Sequence, residues 1–276
     1  MKVAEALAAG ADRLPGADAR REAEILLAHV LGHTRTWLYT WPEHALTDDQ
    51  WTTYQQLLAR RVKGEPIAHL IGRREFWSLD LAVSVDTLIP RHETEVLVEQ
   101  ALARIPLDAA WRIADLGTGS GAVALAIASE RPGCTIVATD RNAAALAVAR
   151  DNAARYRFHN VEFREGAWFE PLHGDRFMMI VSNPPYIAAD DPHLSQGDVR
   201  FEPRSALVGG ADGLEDLRLL AAGAGAYLHP GGWLLLEHGF DQGAAVRQLL
   251  SAQGFLEVAS MRDSLGHERV SLGRRP

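Results

Sequence analysis

Residues 115–121 have the sequence Asp115-Leu116-Gly117-Thr118-Gly119-Ser120-Gly121 and lie between a short apolar run and a helical pattern. Glycine adopts positive φ angles without a steric penalty and lets a ligand approach the backbone closely. The start of the following helix presents unpaired N–H groups to an electron-rich ligand. In a parallel α/β sheet, ligands bind beyond the carboxyl ends of the strands. The turn therefore predicts a ligand site at one edge of a parallel sheet.

The spacing of the glycines favours a nucleoside over a dinucleotide. The dinucleotide fingerprint is G-x-G-x-x-G, whereas the third glycine here comes one position earlier, at Gly121. Asp140 closes the next predicted strand, about 20 residues further on, where a carboxylate can accept hydrogen bonds from ribose hydroxyls. A plain strand-to-helix turn with a capping acid is the alternative interpretation.

Strand and helix patterns alternate on both sides of this turn. We predict strands over 112–116, 135–139, 161–164, 177–182, 232–237, 256–260 and 269–272, with helices between most of them. Such alternation is typical of an α/β fold with a mostly parallel sheet that is covered on both faces. The last two strands follow one another without a helix, so one of them can be antiparallel.

The N-terminal part of the chain has a different pattern. Apolar residues recur at helical spacing over 3–13 and 19–31, and a capping box, Thr47 to Gln50, is expected to open a helix that runs to Lys63. Alternating residues from Glu75 to Val85 then predict a β-hairpin. These changes predict a helical domain at 1–72, a hairpin connector at 73–90 and an α/β domain at 91–276.

A second motif, Asn183-Pro184-Pro185-Tyr186, directly follows the apolar strand at 177–182. The prolines fix their φ angles and supply no N–H group, so nearby carbonyl groups are rigid and free. The Asn183 side chain offers one carbonyl acceptor, and the backbone carbonyl of Pro184 offers another. Together they can accept both hydrogens of a planar NH2 group, against which Tyr186 can stack. A structural Pro-Pro turn is the alternative.

The two motifs and Asp140, in this order, resemble class I methyltransferases that use S-adenosylmethionine to modify planar amino nitrogens. Further segments are similar to the bacterial HemK-type peptide-chain-release-factor glutamine methyltransferases. These segments are Glu65-Pro66-Ile67-Ala68-His69-Leu70, Arg74-Glu75-Phe76-Trp77, Leu88-Ile89-Pro90-Arg91, Gly197-Asp198-Val199-Arg200-Phe201-Glu202-Pro203 and Glu237-His238-Gly239. The resemblance covers nearly the whole chain, with His92 standing where the family more often has proline. It implies a class I methyltransferase-like, Rossmann-like fold, with a mixed seven-stranded sheet and a small N-terminal helical domain joined by a β-hairpin.

The resemblance also implies roles for individual residues. The methionine part of S-adenosylmethionine would be held by Gly117, Thr118, Gly119, Ser120 and Gly121. Asp140 would hold the ribose, and Trp168 would flank the adenine. The target glutamine would be held by Asn183, Pro184, Pro185 and Tyr186. Of these, Asn183 would also border the cofactor. The catalytic residues would be Asn183, Pro184 and Tyr186. The substrate side would be lined by Arg200, Phe201, Glu202 and Pro203. We expect no metal, because the sulfonium is already an activated donor.

The family's substrate is the Gly-Gly-Gln loop of class I peptide chain release factors, which is methylated on the glutamine side-chain nitrogen, N5. The chain has 28 Lys and Arg against 36 Asp and Glu, a net charge of −8, so we expect no direct nucleic-acid partner. No apolar run reaches the ~18 residues of a membrane span. The single cysteine, Cys134, fits a reducing compartment. We therefore expect a monomer in the cytoplasm, without a signal peptide.

Two alternatives share the same catalytic turn. A glutamine methyltransferase that acts on a ribosomal protein would differ in the N-terminal module. A DNA amino-methyltransferase is also possible from the motif alone, because a flipped base presents a planar NH2 group as well.

Overall fold

The computed structural model describes all 276 residues and contains ten α-helices and nine β-strands. Contacts divide the chain into two compact units. The first unit comprises Met1–Arg73 and Gln196–Phe201, and the second comprises Arg74–Ser195 and Glu202–Pro276. The predicted domain ranges did not foresee that Gln196–Phe201 groups with the N-terminal helices, and they stay a prediction. None of the helices has the length and apolar character needed to cross a membrane.

The first unit is helical. Its helices are α1 (Val3–Arg13), α2 (Ala19–Leu31), α3 (Arg35–Thr40), α4 (Asp48–Val62) and α5 (Ile67–Ile71). The predicted capping box opens α4, since the Thr47 hydroxyl accepts a hydrogen bond from the backbone N–H of Gln50 at 3.2 Å and the Gln50 side chain accepts one from the Thr47 N–H at 2.9 Å. Leucines and the fully buried Tyr54 form the core of this unit.

The segment Gln196–Phe201 is attached to the first unit by arginines. Arg61 pairs with Glu22 at 2.7 Å and with Asp198 at 2.9 Å, and the side chains of Arg61 and Glu22 are only 17% and 15% exposed. Arg200 donates a hydrogen bond to the Lys63 carbonyl at 2.8 Å and stacks over the Phe201 ring. Only the Arg61–Asp198 pair joins the segment to the helices through two ionised groups, so it is the main polar attachment.

The second unit is built on a mixed seven-stranded sheet with the order β5-β4-β3-β6-β7-β9-β8. Its strands are β3 (Arg112–Leu116), β4 (Thr135–Asp140), β5 (Val161–Glu165), β6 (Phe177–Ser182), β7 (Leu228–Glu237), β8 (Leu256–Arg262) and β9 (Glu268–Arg274). All neighbours from β5 to β7 are parallel, and β9 is antiparallel to both β7 and β8. The predicted α/β fold with a mixed seven-stranded sheet is confirmed.

Helices cover both faces of this sheet. They are α6 (Glu95–Leu102), α7 (Ala122–Glu130), α8 (Ala143–Tyr156), α9 (Glu215–Tyr227) and α10 (Gly243–Ala252). Successive residues of a strand point to opposite faces, and Ile113 of β3 accordingly packs with α6 and α7, whereas Ala114 packs with α9 and α10. Burial on both faces explains why the central strands are apolar throughout.

The predicted β-hairpin is formed by β1 (Arg73–Phe76) and β2 (Leu79–Ala82). Its turn residues, Trp77 and Ser78, have φ angles of 51° and 59°. Asn152 of α8 fixes the hairpin, because its side chain accepts from the Ala82 N–H at 2.7 Å and donates to the Ala82 carbonyl at 3.0 Å. The hairpin is therefore held by hydrogen bonds to a helix of the second unit.

Candidate active site

The candidate site lies where strands of the second unit end. β3 and β6 are adjacent and parallel, and the chain continues from β3 to one side of the sheet and from β6 to the other. Such a switch point opens a crevice at the carboxyl ends of the strands. The glycine turn follows β3, the Asn-Pro-Pro-Tyr turn follows β6, and Asp140 and Glu237 end β4 and β7. The topology therefore brings the sequence motifs to one edge.

An open cleft of about 990 Å³ lies at this edge, which is at the upper end of the usual size of small-molecule sites. The predicted site residues that line it are Gly117, Thr118, Gly119, Ser120, Asp140, Trp168, Asn183 and Pro185. The predicted residues that do not line it are Gly121, Pro184, Tyr186, Arg200, Phe201, Glu202 and Pro203. The cleft thus gathers the residues predicted for the cofactor, whereas those predicted for the protein substrate mostly lie outside it.

The glycine turn is fixed from below by Asp115. Gly117, Gly119 and Gly121 have φ angles of 76°, 57° and 86°, a region that other residues rarely adopt. The buried Asp115 carboxylate accepts hydrogen bonds from the Thr118 hydroxyl at 2.6 Å and from the N–H of Ala124 at 3.2 Å. Burial raises the pKa of Asp115 to about 7. Asp115 therefore supports the turn rather than presenting a free charge to the cleft.

Asp140 has acceptor capacity left for a ligand. Its Oδ2 atom accepts from the Gly119 N–H and its Oδ1 atom accepts from the Asn142 N–H, both at 2.9 Å. A carboxylate can accept about four hydrogen bonds, so each oxygen can accept one more. The arrangement suits two neighbouring hydroxyl groups, such as those of a ribose.

Trp168 borders the glycine turn. Its φ angle is 48°, and its ring lies so close to Gly117 that a Cβ atom added there would be 3.4 Å from the ring. The indole is part of the cleft lining. Trp168 thus presents an aromatic surface to any planar group that enters beside the glycine turn.

Hydrogen bonds leave two oxygen atoms of the Asn-Pro-Pro-Tyr turn without partners. The Asn183 side chain donates from Nδ2 to the Thr94 hydroxyl at 3.2 Å, and its Oδ1 atom accepts no hydrogen bond. The Pro184 carbonyl likewise accepts none. Tyr186 turns its hydroxyl away from the cleft and donates it to Glu237 at 3.3 Å. The two free acceptors belong to neighbouring residues, as the sequence analysis required for a planar NH2 group.

Glu202, which was predicted to contact substrate, is buried in the structure. It is 5% exposed, accepts a hydrogen bond from the Ile89 N–H at 2.9 Å and pairs with Arg91. Pro90 and Arg91 line the cleft, so Glu202 fixes one wall of it. A contact between Glu202 and a substrate stays a prediction.

The residues that sequence reasoning missed include Thr94, which lines the cleft, and Glu237, which accepts a hydrogen bond from Tyr186. Thr94 ends a short 3-10 helix (His92–Thr94) and lines the cleft. Glu237 is 1% exposed, its Oε2 atom has no hydrogen-bond partner, and burial raises its pKa to about 7. A carboxyl residue at the end of the apolar β7 run was the available signal for Glu237. Thr94 had none, because its partner is distant in sequence.

Comparison with known proteins gives concordant matches. Residues 5–72 match the family model "PrmC N-terminal domain", and residues 92–197 match "Methyltransferase small domain". The release factor glutamine methyltransferase of Xylella fastidiosa is 56% identical over 270 residues, which cover 98% of this chain and 97% of the relative. The chain belongs to the release factor glutamine methyltransferases. The Escherichia coli member is 54% identical over 255 residues, 92% of each chain.

A solved structure of a distantly related protein supports the fold of this chain. A methyltransferase from Pyrococcus furiosus superposes with a TM-score of 0.55 at 21% identity and covers 80% of this chain and 98% of its own. At this identity the likeness shows the fold alone. The class I methyltransferase-like fold and the family that were expected from sequence are both confirmed.

Glu237 makes the stability of the protein depend on pH. Its pKa is about 7 in the folded chain against an ordinary value of 4.5, so the folded state binds more protons between these values. The contribution is fully present below about pH 4.5 and is lost as the pH rises through about 7. We expect the free energy of unfolding of Glu237→Gln to fall less between pH 5 and 7 than that of the unaltered protein.

Urea unfolding at a series of pH values measures this difference. The histidines and the other carboxylates, including the buried Asp115, are present in both proteins and cancel in the comparison. Parallel curves over this range would show that Glu237 does not titrate with a raised pKa.

Proposed function

We propose that this protein transfers a methyl group from S-adenosylmethionine to the side-chain amide nitrogen, N5, of the glutamine in the Gly-Gly-Gln motif of class I release factors. The observation that carries the proposal is the pair of free oxygen atoms, Asn183 Oδ1 and the Pro184 carbonyl oxygen, in the turn that borders the cleft. A carboxamide NH2 group has two hydrogens to donate, which matches this pair. Membership of the release factor glutamine methyltransferases supports the choice of substrate.

The residues of the cleft fit S-adenosylmethionine. Asp140 retains an acceptor site on each carboxylate oxygen for the ribose hydroxyls. A Cβ atom at Gly117 would lie 3.4 Å from the Trp168 ring. Because Gly117 has no side chain, the face of the indole beside the glycine turn stays open to a nucleoside. When bound, S-adenosylmethionine supplies a methyl group on a sulfonium, which is already activated for transfer.

The residues of this chain act mainly by positioning. An amide nitrogen is a weak nucleophile because its lone pair is delocalised into the carbonyl group. Asn183 and Pro184 accept its two hydrogens and so orient the lone pair toward the cleft. The same oxygens stabilise positive charge that develops on the nitrogen. Orientation of reactants can lower a barrier by up to ~7–11 kcal/mol, so a strong general base is not required and the proton can leave late.

A competition assay tests the proposed function. S-adenosylmethionine with a labelled methyl group is offered with an intact release factor, with ribosomal proteins and with DNA in parallel reactions. We expect label only on the release factor, and peptide mapping places it on the glutamine of Gly-Gly-Gln. A release factor with asparagine at that position is the matched control and stays unlabelled. Label on a ribosomal protein or on DNA would overturn the proposal.

We further propose that the protein works as a monomer in the cytoplasm and binds no nucleic acid directly. The net charge of −8 supports the last of these statements, because electrostatic binding to phosphates favours basic surfaces. Analytical ultracentrifugation with and without RNA checks the oligomeric state and the lack of nucleic-acid binding. A single species near 30.2 kDa that does not shift with RNA is the expected result.

A further inference from the structure

The orientation of one side-chain amide decides whether the proposed site can work. The Asn183 amide has two orientations that differ by a 180° flip about its terminal bond. One presents the oxygen to the cleft and the other presents the NH2 group. Only the first accepts a hydrogen from the glutamine amide, so the site needs a device that selects it. This inference rests on the proposed function and concerns how the chain prepares Asn183 for it.

Thr94 is placed to make the selection. Its hydroxyl oxygen lies 3.2 Å from Asn183 Nδ2 and accepts the hydrogen bond that the amide nitrogen donates. Thr94 is 4% exposed, so water cannot readily take over this role. With the NH2 group bound to Thr94, the Oδ1 atom is left for the cleft that both residues line.

A hydroxyl group both donates and accepts, so Thr94 selects the amide orientation only if its own hydrogen points elsewhere. The carboxyl group of Glu237 offers that direction, because its buried Oε2 atom has no hydrogen-bond partner and Thr94 is among the side chains that act on it, beside Tyr186, which donates to Oε1 at 3.3 Å. Arg269 favours the ionised form, whereas Glu93 opposes it. Above the pKa of about 7 that burial gives Glu237, its carboxylate only accepts hydrogen bonds, and there it draws the hydrogen of Thr94 away from Asn183.

We propose that Thr94 is a positioning residue that holds the Asn183 amide with its oxygen toward the target glutamine, and that Glu237 sets the direction of the Thr94 hydroxyl. The three side chains form a relay from the end of β7 through the 3-10 helix to the turn after β6. Thr94 does not touch the reacting atoms, so its effect on turnover is indirect and passes through Asn183.

Kinetics of Thr94 variants test the relay. Thr94→Val removes the hydroxyl but keeps the shape, and we expect kcat to fall about tenfold, which corresponds to about 1.4 kcal/mol, with KM for S-adenosylmethionine unchanged. Thr94→Ser restores the hydroxyl and recovers most of the lost turnover. Equal turnover in Thr94→Val, or an equal loss in Thr94→Ser, would overturn the proposal.

A spectroscopic readout tests the same relay without substrate or cofactor. The side-chain NH2 resonance of Asn183, assigned by its loss in Asn183→Ala, reports the hydrogen bond to Thr94 through slow exchange of one proton. We expect slow exchange in the unaltered protein and in Thr94→Ser, and at least tenfold faster exchange in Thr94→Val. Unchanged exchange in Thr94→Val would overturn the proposal, even if the protein methylates release factors as proposed.

Glu237→Gln provides a second variant should Thr94→Val not fold. Its amide NH2 group can donate to the Thr94 oxygen and compete with Asn183, so we expect faster exchange of the Asn183 protons and a lower kcat. Unchanged exchange and turnover in this variant would contradict the role of Glu237. Because the exchange measurement needs no methylation, failure of the proposed function and failure of the relay remain distinguishable.

Discussion

We expect replacement of Asn183 with alanine to lower kcat for release-factor methylation by about 10²- to 10³-fold, the loss typical for a side chain that stabilises developing charge. The variant removes the Oδ1 acceptor and leaves only the Pro184 carbonyl to orient the amide. We expect affinity for S-adenosylmethionine to change little, because the variant leaves Asp140 and the glycine turn, which are proposed to hold the ribose and the methionine part, unaltered. Rapid-quench turnover at saturating donor and calorimetric titration of the donor measure the two quantities separately.

Asn160→Ala is the matched control for this experiment. The Asn160 amide donates to the backbone carbonyls of Ala128 and Cys134 at 3.4 and 3.1 Å, away from the cleft lining. We expect normal turnover per folded molecule in this variant. Turnover in Asn183→Ala that matched the control would remove Asn183 from the chemistry.

We expect replacement of Asp140 with alanine to weaken binding of S-adenosylmethionine by about 1–3 kcal/mol, the cost of losing charged hydrogen bonds to a ligand. The variant also removes the acceptor of the Gly119 and Asn142 N–H groups, so the glycine turn loses one of its supports. Asp140→Asn keeps one acceptor oxygen, and we expect its affinity for S-adenosylmethionine to lie between those of Asp140→Ala and the unaltered protein. Isothermal calorimetry measures the dissociation constants.

Asp151→Ala, a change at an exposed aspartate of α8, is the control for loss of negative charge. Its affinity for S-adenosylmethionine should equal that of the unaltered protein. An Asp140→Ala variant that bound the donor as tightly as this control would contradict the role of Asp140 in holding the ribose.

Local sequence patterns were sufficient to predict the sheet and the edge of it at which the motifs meet. The glycine turn, Asp140 and the Asn-Pro-Pro-Tyr turn each follow an apolar strand, and parallel strands bring their carboxyl ends to one edge. Short elements escaped prediction, because α3 and α5 have six and five residues and show too little periodicity. The 3-10 helix at His92–Thr94, directly before α6, is likewise too short to leave a periodic pattern.

The hairpin turn shows how tertiary contacts replace a local signal. Trp77 and Ser78 adopt positive φ angles, although two-residue hairpin turns favour asparagine and glycine there. The Trp77 N–H donates to Glu95 at 3.3 Å, and its indole N–H donates to Glu130 at 3.0 Å. The strand alternation predicted the hairpin, but only the fold supplies the partners that hold this turn.

Contacts between distant segments account for most of what sequence could not predict. Thr94 and Asn183 meet only because the 3-10 helix and the end of β6 converge. Glu202 was predicted from its motif to contact substrate, and the motif could not reveal that Arg91 and Ile89 are its partners. A motif indicates which groups a site needs, whereas the topology decides which neighbours they have.

The most direct test of the account is a crystal structure of this protein with S-adenosylhomocysteine and a peptide that contains Gly-Gly-Gln. We predict the glutamine nitrogen at hydrogen-bonding distance, about 2.7–3.2 Å, from both Asn183 Oδ1 and the Pro184 carbonyl oxygen, with the cofactor sulfur facing it. A glutamine amide bound elsewhere, or a sulfur atom turned away from the Asn-Pro-Pro-Tyr turn, would contradict the account.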